Sequence, residues 1–128
     1  VSGKRLWGWI QSRHPRPETF FARCFVANYC PLAFVGDSGK NITPDQLPHS
    51  GPELFAACDA ALRDMVHHLG VRWVIGIGQF AARRARQACA GFPVQVESIL
   101  HPSPASPAAN RDWAQSVNAQ LHSLGIEI

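Results

Sequence analysis

Apolar positions recur along this chain with two periods, and the changes between them mark its elements. Leu54, Phe55, Cys58, Ala61, Leu62, Met65, Val66 and Leu69 fall at three- and four-residue steps, the stripe of an amphipathic helix. Ser50 followed by Glu53 makes a capping box and Gly70 supplies the stop, so a helix is predicted over 50–69. Trp113, Val117, Leu121 and Leu124, closed by Gly125, predict a last helix starting near Asp112. Short, mostly apolar runs at 24–29, 72–77 and 94–100 read instead as strands, the first of the kind a parallel sheet buries on both faces. Cys30-Pro31 stops the first of these, and a helix over about 79–90 follows the second. At the start, Trp7 and Ile10 stand three apart among basic residues and predict a short helix with those two on its inner face. His14-Pro15 and Pro17 end it, and 18–23 adds one further turn.

Strands alternating with helices predict a layered α/β domain with a mainly parallel sheet, and 128 residues allow one domain at most. The net charge of +3 permits a nucleic-acid partner without demanding one. Cys24, Cys30, Cys58 and Cys89 form no Cys-x-x-Cys pair, which removes the usual zinc, iron–sulfur and secreted-scaffold signatures. They read as reduced thiols of an intracellular protein that is not secreted. No apolar run reaches the length of a membrane span, and no signal peptide is seen.

Candidate chemistry gathers after the third strand. Pro102, Pro104 and Pro107 fix φ near −65° and delete three N–H donors, so 101–111 reads as a stiff protruding loop, neither helix nor strand. His101 stands at its base and Asn110 and Arg111 at its far end. The C-terminal ends of parallel strands are where α/β folds bind ligands, although a strand-capping histidine on a plain connection fits the same pattern. Asn28, at the end of the first strand, either reads a ligand or ties down the turn. In the polar loop over 37–48, the amides around Gly39, the Ser38 hydroxyl and Lys40 together suit a phosphate. The same residues also suit a solvated loop leading into a helical turn capped by Thr43, with Pro44 at its first position. Gly76-x-Gly78-x-x-Ala81 nominally fits a dinucleotide fingerprint with Glu97 downstream, but glycines at a strand–helix turn usually serve packing. Arg83, Arg84 and Arg86 spread around their helix and read as a solvated face. His67 and His68 are adjacent, diverge, and make no metal pair.

Four segments, in order, carry a resemblance. They are Phe25-Val26-Ala27-Asn28-Tyr29-Cys30-Pro31-Leu32, Ser38-Gly39-Lys40-Asn41-Ile42-Thr43-Pro44, Cys58-Asp59-Ala60-Ala61-Leu62, and His101-Pro102-Ser103-Pro104 with Asn110-Arg111 and Trp113. Nearly end to end, the chain resembles the single-strand-selective monofunctional uracil-DNA glycosylases. The resemblance implies a three-layer α/β/α sandwich with a mainly parallel central sheet, incomplete at the N-terminus. Residues 1–128 would be the C-terminal portion of a single domain.

It also implies a DNA-repair enzyme that flips out uracil or 5-hydroxymethyluracil and hydrolyses the N-glycosidic bond, initiating base excision repair. His101 would be catalytic and Asn28 would bind the base. Ser38, Gly39, Lys40, Asn41, Thr43, Ser103, Pro104, Ala105, Ser106, Pro107, Asn110 and Arg111 would lie on DNA. No metal or organic cofactor is implied. The partners would be single- and double-stranded DNA containing uracil or an oxidised pyrimidine, with no membrane partner, met by a monomer in the nucleus (the cytoplasm for a bacterial source). No lysine is placed to attack the sugar, in keeping with a hydrolase that lacks lyase activity.

Two departures weigh against strong double-strand activity. Ala105 stands where the family often carries a large basic residue, and Arg111-Asp112 stands where it has lysine then glycine. The family's Gly-Met-Asn-Pro-Gly segment, whose asparagine positions the attacking water, has no counterpart, and no Asn-Pro-Gly occurs here. The chain is therefore expected to be part of a longer protein, unstable and inactive alone. A non-catalytic DNA-binding module and a nucleotide-binding α/β domain using Gly76 and Gly78 remain as the other readings.

Overall fold

Two parallel strands, β3 (Trp73–Ile77) and β4 (Gln95–Ile99), pair in register from Trp73 opposite Gln95 to Ile77 opposite Ile99. A parallel pair needs a crossover, and α4 (Gln79–Ala88) provides it. The computed structural model describes residues 1–47 and 51–128. Ahead of this unit come α1 (Ser2–Arg13), α2 (Pro17–Phe21), β1 (Phe34–Val35), β2 (Asn41–Ile42), a 3₁₀ turn at Pro44–Gln46 and α3 (Gly51–Leu69). After it comes α5 (Pro107–Ser123). The Ser50 half of the expected capping box lies outside the described residues.

The architecture is a mixed α/β domain in which helices flank a small sheet. Side chains alternate across each strand. Ile75, Ile77 and Ile99 join the core built by Trp9, Ile10 and Phe20 with Ala109, Trp113, Val117 and Leu121 of α5. Val74 and Val96 join a second core around Val66, Ala88 and Cys89. Burial on both faces suits β3, which is apolar from Trp73 to Ile77, whereas β4 carries Gln95, Glu97 and Ser98 among its apolar residues. Trp9 and Trp113 meet edge to face at 5.8 Å, and truncating Trp113 to alanine should cost about 3–5 kcal/mol. Burial raises the pKa of the Cys24, Cys58 and Cys89 thiols, which keeps them protonated and unreactive.

Several expectations are corrected. Residues 24–28 form no strand; they run as irregular chain because no described strand lies alongside to complete a ladder. The parallel sheet therefore has two strands, and β1 and β2 form a separate antiparallel hairpin. In α1 the inner face carries Trp9 and Ile10, whereas Trp7 is largely exposed beside Phe21. The α3 stripe is narrower than its pattern: Cys58 and Val66 are buried, but Ala61 and Leu69 are exposed.

Candidate active site

The end of β4 is fastened from α5. The Leu100 N–H donates to Gln120 Oε1 at 2.9 Å, and the Leu100 carbonyl accepts from Trp113 Nε1 at 2.7 Å. His101 follows immediately and is exposed. Its Nδ1 accepts the backbone N–H of Ser103 at 3.1 Å. A nitrogen that accepts has no proton, so the neutral ring carries its hydrogen on Nε2, and Nε2 is the donor. That donor has no hydrogen-bond partner among the described residues.

Gly78, the residue after β3, lies against the same ring. A Cβ there would stand 3.0 Å from His101 Cβ and 3.2 Å from its Cδ2, and the Gly78 N–H donates to Ile99 O at 2.9 Å. Gly76 is still more confined, because a Cβ on it would overlap the backbone of Ala82 in α4. The spaces that the two fingerprint glycines leave are thus taken by Ala82 and His101. Glu97, the would-be ribose reader, faces Arg86 at 3.9 Å.

The stretch after His101 is shaped by its own polar side chains. Ser103 Oγ accepts from the Ala105 N–H at 3.2 Å, and Ser106 caps α5 by accepting from the Ala109 N–H. Asn110 donates to Pro104 O at 2.7 Å and accepts from Arg5 Nη2 at 2.9 Å, while Arg5 Nη1 also donates to Pro102 O. Ser103, Ser106 and Asn110 therefore hold the loop's form. Pro104, Ala105, Pro107, Asn110 and Arg111 are exposed.

The expectation that 101–111 contains no helix is corrected here. Ser106 and Pro107 start α5, because proline at the first helical position lacks only an N–H that would be unbonded anyway. The helix breaks again at Asp112 (φ −155°, ψ 92°), whose carboxylate caps the resumed turn by accepting from the Gln115 N–H at 2.9 Å. A groove of about 410 Å³ between α1 and α5 is lined by Arg5, Trp9, Ser12, Asn110, Arg111 and Asp112 among others.

Asn28 is exposed and has no hydrogen-bond partner among the described residues. Val26, two residues earlier, rests on the core that contains Ile99 and Leu100. Tyr29, next to it, reaches α3 and α4. Its hydroxyl bonds Asp59 Oδ1 at 2.6 Å and accepts from Arg84 Nε at 2.9 Å, while Arg84 Nη2 meets Asp59 Oδ2 at 2.6 Å. Arg84 is therefore not on a solvated face, as its place in the arginine run implied. It lies 4.5 Å from the Phe55 ring centroid. Burial first, then the hydrogen bond to Asp59, push the Tyr29 hydroxyl up to about 12.

Ser38, Gly39 and Lys40 form the exposed tip of the β1–β2 hairpin, with Asn41 on β2. The Gly39 amide, expected to face a phosphate, donates to Gly36 O at 2.8 Å instead, which leaves the Ser38 hydroxyl and the Lys40 ammonium for that task. Thr43 precedes the 3₁₀ turn and its N–H donates to Gln46 Oε1, as the capped-turn reading expected. No hydrogen bond or ion pair among the described residues joins the hairpin or Asn28 to His101. Arg5, Gly78 and the Tyr29–Asp59–Arg84 cluster are the participants that sequence reading missed. Only Asp59, an acid beside buried Cys58, carried a local signal. No cluster of metal-ligating side chains occurs among the described residues, and none of their helices is long and apolar enough to cross a membrane.

No protein-family model matches the chain. It is 49% identical over 129 residues to the single-strand selective monofunctional uracil-DNA glycosylase of Rattus norvegicus, covering 98% of this chain and 46% of that protein. The protein of the same name from Mus musculus is 48% identical over 98% of this chain and 46% of its own length. That from Bos taurus is 49% identical over 98% of this chain and 47% of its own length. The chain thus spans slightly under half the length of these relatives.

Proposed function

The chain belongs to the single-strand-selective monofunctional uracil-DNA glycosylases, and from that premise we propose that it supplies the base-recognition and leaving-group half of uracil excision from DNA. Its two-stranded parallel pair would be part of the family's three-layer sandwich. The observation that carries the reading is the Ser103 N–H bonded to His101 Nδ1, which leaves Nε2–H as a donor at the end of β4.

A stacked base is out of reach, so the enzyme takes single-stranded substrate or flips the nucleotide out. Breaking the N-glycosidic bond leaves a cation-like sugar and an anionic uracil. The His101 Nε2–H donates to uracil O2, where negative charge develops. The ring need not reorganise at that moment, because Ser103 and Gly78 already hold it. Asn28 presents an acceptor and a donor side by side to uracil N3–H and O4; cytosine offers the reverse order and leaves both groups unpaired.

The exposed Pro104-Ala105 tip enters the vacated stack, Ala105 filling it less than a long side chain would. Lys40, Ser38 and Arg111 meet phosphates. Uracil and 5-hydroxymethyluracil in nuclear DNA, met by a monomer, are the proposed targets. A second reading is DNA binding without catalysis, which the exposed Pro104-Ala105 tip, Lys40 and Arg111 would serve equally well.

The test is base release from a single-stranded oligonucleotide holding one uracil, scored as alkali-labile cleavage, by the chain joined to the N-terminal half of one of its relatives. His101→Ala should lower the rate about a hundred- to thousandfold while leaving oligonucleotide binding intact. Release that survives the substitution removes His101 from the chemistry. Binding without release by that joined protein selects the second reading.

A further inference from the structure

The segment that presents Asn28 has no backbone support of its own. Among the described residues, no N–H or C=O of residues 25–33 bonds to another backbone group or to a side chain. Within these residues it is fixed by where its side chains land. Cys24 and Val26 rest on the core beneath β4, which holds one end. The other end is held by Tyr29, whose ring packs edge-on to Phe80 at 5.9 Å and tilted against Phe55 at 6.4 Å, with the Cys30 thiol beside Cys58 of α3.

Ring packing permits sliding; the hydroxyl does not. Its single proton has two acceptors in range, the Phe55 carbonyl at 3.3 Å and the Asp59 carboxylate at 2.6 Å, and the shorter, charged acceptor takes it. Arg84 closes the circuit by donating from Nε to the Tyr29 oxygen and from Nη2 to Asp59. Asp59 belongs to α3 and Arg84 to α4, and the side chains of both are only 18% exposed. Tyr29 is thus pinned to two helices at once by a closed ring of three hydrogen bonds, largely shielded from water. Such a geometry does not survive a change of length or direction in any one partner.

We propose that the Tyr29 hydroxyl, locked between Asp59 and Arg84, is the positioning element for the Asn28 amide. It turns a stretch without ladder bonds into a fixed mount for the neighbouring side chain. The proposal rests on the reading of Asn28 as the residue that meets the base. The anchor itself is testable apart from that reading.

Tyr29→Phe keeps the ring contacts and deletes only the hydroxyl. Arg84→Lys keeps a positive charge near Asp59 but removes the guanidinium fork that spans Asp59 and Tyr29. Backbone order parameters at residues 27–30, measured by ¹⁵N relaxation, should lie near the rigid value of about 0.85 in the parent chain and fall below about 0.6 in either variant. Those of α3, α4, β3 and β4 should stay unchanged. Parent values already low, or variant values that do not move, overturn the anchor.

With the chain joined to the N-terminal half of a relative, on a single-stranded uracil oligonucleotide, kcat should drop about tenfold with KM within about twofold, since a loosened reader misaligns the base without weakening the grip on DNA. Loosening with no change in kcat overturns the claim that the anchor serves Asn28. Loosening with no base released even by that joined protein upholds the anchor and counts against the glycosylase reading instead.

Discussion

Gly78 leaves the space that His101 occupies. Its backbone sits at φ 94° and ψ 162°, a region open to glycine and closed to other residues, and a Cβ there would press on His101 at 3.0 Å. One residue therefore answers two demands, the turn from β3 into α4 and the seat of the histidine ring.

Gly78→Ala should accordingly fail on both counts. The backbone conformation alone should cost about 1–3 kcal/mol, visible as a lower urea midpoint with an unchanged slope. The displaced ring should also lower base release further than the stability loss explains, when the two are compared at a temperature where the variant is fully folded. A variant as active as the parent would show that the ring is not seated by Gly78.

Arg5 and Asn110 should act as one unit. Arg5 reaches 97 residues along the chain to Pro102 O and also meets Asn110 Oδ1, while Asn110 holds Pro104 O. Arg5→Met and Asn110→Ala should each destabilise by about 1 kcal/mol. Each should also weaken oligonucleotide binding by letting the Pro104-Ala105 tip wander. The double variant should be little worse than either single one, because the second substitution removes contacts already lost. Additive losses in a thermal-melt and binding series would show two independent contacts.

The features legible in the sequence were those whose causes are local. The β3–α4–β4 unit follows from β-branched runs, two glycines and a helical stripe within 30 residues, and it is present within a residue or two of expectation. Residues 24–28 were misread because their apolar run satisfies the side-chain condition for a strand, while the backbone condition depends on partners elsewhere. Pro107 was grouped with Pro102 and Pro104, yet Ser106-Pro107 is itself a helix start, and the serine decides which role the proline takes. Arg84 looked solvated because its acid, Asp59, is 25 residues away on another helix. His101 and Asn28 stood out as chemistry. Ser103 holds the His101 ring locally, but Gly78 beside that ring and the Asp59–Arg84 pair around Tyr29 are visible only once the chain has turned back on itself.

Tyr29 is the chain's one tyrosine, so its ionisation can be read directly by near-ultraviolet absorbance. The hydroxyl is pushed up to about 12 from an ordinary value of 10, by burial and then by the bond to Asp59. A raised folded value means that folding favours the neutral form. The stabilisation is complete below pH 10 and is lost as pH climbs from 10 toward 12. Stability should therefore fall over that window in the parent chain, and the titration midpoint should drop toward 10 in Asp59→Asn, which weakens the acceptor. An ordinary midpoint in the parent would show that the hydroxyl is not held as described.

Asp112 has two opposed roles, and two substitutions separate them. Its carboxylate caps the resumed turn of α5 through the Gln115 N–H, yet it adds a negative charge beside Arg111, a residue expected to face DNA. Asp112→Ala removes both cap and charge and should cost about 1 kcal/mol of stability. Asp112→Asn keeps an oxygen that caps nearly as well and removes only the charge, so its melting temperature should stay close to the parent's. Both variants should bind single-stranded oligonucleotide more tightly, with log affinity falling more steeply against log salt, because one fewer negative group opposes the phosphates. If Asp112→Asn melts early, the carboxylate's charge and not merely its geometry holds the break in α5. If neither variant binds more tightly, the face of α5 around Arg111 is turned away from DNA, and contact rests with the Pro104-Ala105 tip and the β1–β2 hairpin.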